Sequence, residues 1–84
     1  MNNRVFRIQE DVLVLKRTGK IIPETMPVFI LIAPDKYALS TIRAYQSTMP
    51  PTSEGWKIIQ NVIDDFTKFR RENPKQMGEP NEVY

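Results

Sequence analysis

The run VFILIA, residues 28–33, is apolar at every position and is closed by Pro34. A strand with no polar alternation expects cover on both of its faces. With six residues the run is far too short to span a bilayer. In a chain of 84 residues, one face can be covered by the chain's own helices and the other by a second copy. The run therefore leads to the expectation of a homo-oligomer. Size points the same way. A domain this small buries only about 60–65% of the surface its unfolded chain exposes, so a symmetric partner helps it.

Around this run the chain reads as α+β. RVFRIQ (4–9) alternates weakly and is expected as an edge strand. DVLVLKR (11–17) is β-branched and leucine-rich, Thr18-Gly19 reads as a turn, and KII (20–22) completes a hairpin. Pro23 and Pro27 bracket ETM and block a long strand there. Pro34 and Asp35 suit the first turn of a helix expected over 35–48, with Ala38, Ile42 and Tyr45 toward the core. MPPTSEG stops that helix and offers Thr52 or Ser53 as the N-cap of a second, expected over 53–72. Its seam is Ile59, Val62, Ile63, Phe66 and Phe69, extended by Trp56, with Lys57, Asn61, Asp64, Lys68 and Arg71 opposite. Arg70 and Arg71 suit its C-terminus, and Pro74 ends it. The expected architecture is a small antiparallel sheet of two or three strands followed by two helices packed on it. Residues 1–73 are expected to form a single compact domain, and 74–84, which lack periodicity, a flexible C-terminal tail.

Two absences bound the chemistry. The chain has no cysteine, which removes disulfides and thiolate metal sites, and no histidine, which removes imidazole catalysis. No catalytic residues, metal or cofactor are expected, and the protein reads as a non-enzyme. Residues 1–11 carry charges and no long apolar stretch, so neither a signal peptide nor a membrane span is expected, and the expected location is cytoplasmic. Twelve basic residues against ten acidic ones give +2, too small an excess to favour nucleic acid.

The candidate site is the start of the first helix. Lys36, Ser40, Arg43 and Ser47 fall at helical spacing along one stripe. Two cations and two hydroxyls, with the first free amides of the helix, suit a phosphate or another anion. The same stripe also reads as a solvated face. Tyr37 and Tyr45 lie just over two turns apart and suit base stacking or a subunit contact, or half-buried packing. Asp64 and Asp65 point about 100° apart, so they cannot converge as a catalytic pair, and Asp64 suits Lys68. Lys16, Arg17 and Lys20 surround the hairpin turn, where a solvated turn competes with contact to nucleic acid.

PVF (27–29), APDK (33–36) and IRAY (42–45), within residues 21–45, resemble small uncharacterised proteins of tailed bacteriophages. The resemblance implies a phage or prophage product made in the host cytoplasm, acting by binding and not by catalysis. The leading expectation is an oligomeric binding protein that counteracts a host defence pathway by sequestering a small anionic or nucleotide ligand. Lys36, Ser40 and Arg43 would hold phosphate, and Tyr37 or Tyr45 would stack. The alternatives are a protein–protein inhibitor of a host enzyme and a nucleic-acid-binding accessory protein.

Overall fold

The computed structural model describes residues 5–10 and 12–84. Residues 1–4 and Asp11 lie outside these, and with them the start of each of the first two expected strands and part of the leader reading. The architecture is α+β: a three-stranded antiparallel sheet followed by two long helices. β1 (Phe6–Gln9) pairs with β2 (Val12–Leu15), from Phe6 opposite Leu15 to Gln9 opposite Val12. β3 (Ile21–Ile22) adds to the other edge of β2, with Leu13 opposite Ile22.

The β2–β3 turn forms where Thr18-Gly19 announced it. Gly19 has φ +72°, a conformation that costs glycine no steric penalty, and its N–H donates to Leu15 O at 2.8 Å. Between β1 and β2, Glu10 takes φ +51°, the left-handed region that hairpin connections favour, without glycine's freedom.

VFILIA is where expectation and structure part. Residues 28–33 form no strand and join no sheet. The hairpin supplies its own third strand, and Pro23 ends that strand after two residues. Pro27 and Pro34 then fix the backbone on either side of the run. Apolar patterning states a need for cover but names no partner strand. Only Leu31 of the run reaches the core of the two helices, and Phe29 is 82% exposed.

α1 (Ala38–Ser47) starts three residues later than expected. The Asp35 carboxylate accepts the Tyr37 N–H at 2.9 Å, and the Asp35 carbonyl accepts from Ala38. This local turn competes with helix at the entry. Ala38, Leu39, Ile42 and Gln46 form the buried stripe of α1. Tyr45, placed in the core by the sequence reading, is 59% exposed instead, because the stripe that meets α2 runs through Gln46, one residue further round.

α2 (Glu54–Glu72) matches its expectation closely. Ser53 is the N-cap and accepts the Trp56 N–H at 3.1 Å, a bond typically worth about 1 kcal/mol. Arg70 and Arg71 occupy its last turn. The core joins Leu39, Ile42 and Ile63, with Leu31, Ile59, Val62 and Phe66 packed against them. Burying a side chain the size of Ile63 contributes about 1.5–3 kcal/mol. The α1–α2 contact also carries a polar latch. Gln46 Nε2 donates to Trp56 O at 3.2 Å and to Gln60 Oε1 at 2.9 Å.

Residues 74–84, read as a tail without periodicity, carry a 3-10 turn at Pro74–Gln76 and a short helix, α3 (Pro80–Val83). Their polar groups reach back to residues 32–37, more than forty positions away. Periodicity cannot register contacts of that kind.

Candidate functional site

Three features meet around the entry to α1: a polar clasp, an exposed apolar segment and the outer face of the helix. The clasp joins residues 32–37 to residues 78–84. Gly78 N–H donates to Pro34 O at 2.9 Å, and Lys36 N–H donates to Gly78 O at 3.1 Å, so Asp35 and Gly78 pair as a one-residue parallel bridge. The Tyr84 hydroxyl accepts the Ile32 N–H at 3.1 Å and donates to Asp35 Oδ2 at 2.9 Å. Asp35 is only 4% exposed, and both of its carboxylate oxygens are engaged. Burial pushes the Tyr84 phenol above its ordinary value of 10.0.

Lys36, expected to hold a ligand phosphate, holds Glu79 instead, with Nζ to Oε1 at 2.5 Å. The Tyr37 hydroxyl donates to the same oxygen at 3.1 Å. These bonds raise the Lys36 ammonium above its ordinary range, the hydrogen bond with Glu79 first, and lower the Glu79 carboxyl. Lys36 also lies 5.3 Å from the centre of the Tyr37 ring. The ammonium is therefore already paired.

The remaining members of the stripe divide in two. Ser40 donates to Tyr37 O at 3.1 Å and Ser47 to Ala44 O at 2.6 Å, so both hydroxyl protons serve α1 itself. The entry amides of Lys36, Tyr37 and Ala38 are likewise taken within the chain. Arg43 and Tyr45 are exposed, and neither side chain has a partner among the described residues. They sit two positions apart on α1, a spacing that places them on different sides of a helix. Lys36, Tyr37 and Glu79 are thus brought together, while Arg43 and Tyr45 stand apart from that group and from each other.

Just before the clasp, Met26, Val28, Phe29 and Ile30 are all exposed. A separate hollow of about 400 Å³ lies between the hairpin and α2, walled by Val5, Leu15 and Ile58. Arg17 and Thr18 of the hairpin turn stand at it with Asn61, so the basic hairpin end borders a cavity and does not face open solvent alone. Asp64 accepts from Gln60 Nε2 at 3.0 Å, in place of the expected Lys68 pairing. Among the described residues no cluster of acidic, histidine or cysteine side chains could hold a metal ion, and no helix is long and apolar enough to cross a membrane.

The sequence reading missed Asp35 as a buried acceptor, and Glu79 and Tyr84 as its neighbours in the clasp. One signal was available. Glu79, Pro80 and Glu82 spell a helix start, with Pro at the first position and an acid three residues after the cap. No protein family, curated protein or solved structure matches this chain.

Proposed function

We propose that this protein is a non-enzymatic, self-associating binding protein that takes a small anionic, ring-bearing ligand of the nucleotide class between copies of itself. The observation that carries this reading is the pair Arg43 and Tyr45, exposed, unpartnered among the described residues and on different sides of α1. Arg43 suits a phosphate and Tyr45 suits a stacked ring. The two side chains leave α1 on different sides, so a compact ligand that uses both draws them from different copies. The setting implied by the resemblance of residues 21–45 is a phage product acting against a host pathway.

Native mass spectrometry of the purified chain with a panel of cyclic and ADP-ribose-type nucleotides tests the reading. The expected result is an oligomer that gains one ligand mass per site. Arg43→Ala is expected to weaken ligand binding by about 1.5–3 kcal/mol, the range for hydrogen bonds to charged groups, with little change in stability. Tyr45→Ala is expected to weaken it as well. Mixing the two variants restores a fraction of intact sites if the contacts come from different copies. No nucleotide bound by the wild type would remove the ligand, and no recovery on mixing would remove the shared site. A second reading, inhibition of a different protein through direct contact, is favoured by the exposure of Phe29 and its apolar neighbours. It expects a specific protein adduct at Phe29 and indifference to nucleotides.

A further inference from the structure

We infer that residues 28–31 form a subunit contact by antiparallel strand pairing with the same residues of a second copy. The inference rests on the self-association in the reading above and names the surface responsible for it. Its first support is a complete account of the backbone. No N–H or C=O of Val28, Phe29, Ile30 or Leu31 has a partner among the described residues. The hydrogen bonds on either side, Met26 N–H to Pro23 O and Ile32 N–H to Tyr84 Oη, stop at the borders of this stretch. Four consecutive residues with free donors and acceptors have the requirements of an open strand edge.

Side chains supply the second support. Val, Phe and Ile favour the pleated conformation. Met26, Val28, Phe29 and Ile30 together expose on the order of 400 Å² of apolar surface, the size of the largest patch on a typical monomer, which is often a functional one. A standard interface buries about 800 Å² on each partner, so two such patches supply about half the contact as apolar area and the flanking surface supplies the rest.

The charge pattern permits a second copy as the partner. From Thr25 to Pro34 the chain carries no charged residue, so antiparallel self-pairing sets no like charges against each other. The lysines that commonly protect an edge are absent from this stretch. Pro27 and Pro34 limit the pairing to a few residues. Leu31, packed on the α1–α2 core, anchors the strand to the body of each copy.

The test uses the full chain and the variant Phe29→Glu, whose side chain stands in solvent within one copy. Light scattering and hydrogen exchange are measured on both across the micromolar range, with thermal unfolding in dilute solution to confirm folding. The wild type is expected to associate, with the amides of 28–31 protected only in the associated form. Phe29→Glu is expected to weaken association by about 30-fold or more, the loss of an aromatic anchor, and to free those amides. A monomeric wild type overturns the inference, and nucleotide bound by that monomer would still leave a ligand site standing. Association that survives Phe29→Glu, or that leaves 28–31 unprotected, overturns strand pairing while the assembly itself stands.

Discussion

Residues 26–31 and residues 32–37 are consecutive in the chain and opposite in their bonding. From Ile32 to Lys36 the backbone and side chains are tied to Gly78, Glu79 and Tyr84. From Val28 to Leu31 no backbone group is bonded among the described residues, and the largest side chain, Phe29, is exposed. The clasp is polar and satisfied by groups at the far end of the same chain. The apolar segment has no such supply, because the helices fill their own core and only Leu31 is admitted to it. Neighbouring residues thus differ not in propensity but in whether the rest of the chain returns to meet them. A segment left unmet carries its unsatisfied groups outward, toward another molecule.

Four substitutions sharpen this contrast. The largest effect is expected from Asp35→Ala, which removes a buried acceptor with two bonds and is expected to cost about 1.5–3 kcal/mol in denaturant unfolding. If stability is unchanged, the clasp does not hold the C-terminal segment. Tyr84→Phe, which deletes one hydroxyl from the same cluster, is expected to cost about 1 kcal/mol. It also changes the alkaline limb of the stability curve. The phenol of Tyr84 is raised in the folded state, so its contribution is complete below the ordinary value of 10.0 and is lost as pH rises through the folded value. The wild type should lose some stability in the alkaline range, and Tyr84→Phe should lack the step.

On the other side of Ile32, Phe29→Ser should change the stability of the dilute chain by no more than about 0.5 kcal/mol, as for surface positions generally. A large loss would mean that Phe29 is packed within one copy, and the contrast between the two regions would collapse. The smallest effect is expected at Lys36→Ala. Its pair with Glu79 is solvent-exposed, so any loss should shrink as salt is added. The lowered Glu79 carboxyl makes this contribution one that is present above the ordinary 4.5 and lost as pH falls through the folded value.

The two long helices were legible because their information is local. Ser53 at the cap, the seam from Ile59 to Phe66 and Arg70 and Arg71 at the end all act within a few turns. The hairpin was legible for the same reason, through Thr18 and Gly19. Of the candidate site, the exposure of Ser40 and Arg43 on α1 could be read from helical spacing, whereas Lys36 lies ahead of the helix. The pairing of Lys36 could not, because Glu79 lies 43 positions on and no period links them. The fate of VFILIA was hidden in the same way. Its composition demands cover, and demand does not identify a supplier.

By itself the sequence determined the two long helices, the cap of α2, the hairpin and the lack of cysteine and histidine, because each depends on residue type or on neighbours within one or two turns. Tertiary structure alone decided that Asp35 would be buried and bonded to Tyr84, that Lys36 would be paired with Glu79 and that Phe29 would be left in solvent. Those outcomes depend on which distant segments meet, and that is settled by competition among the whole chain's apolar and polar groups for a limited interior.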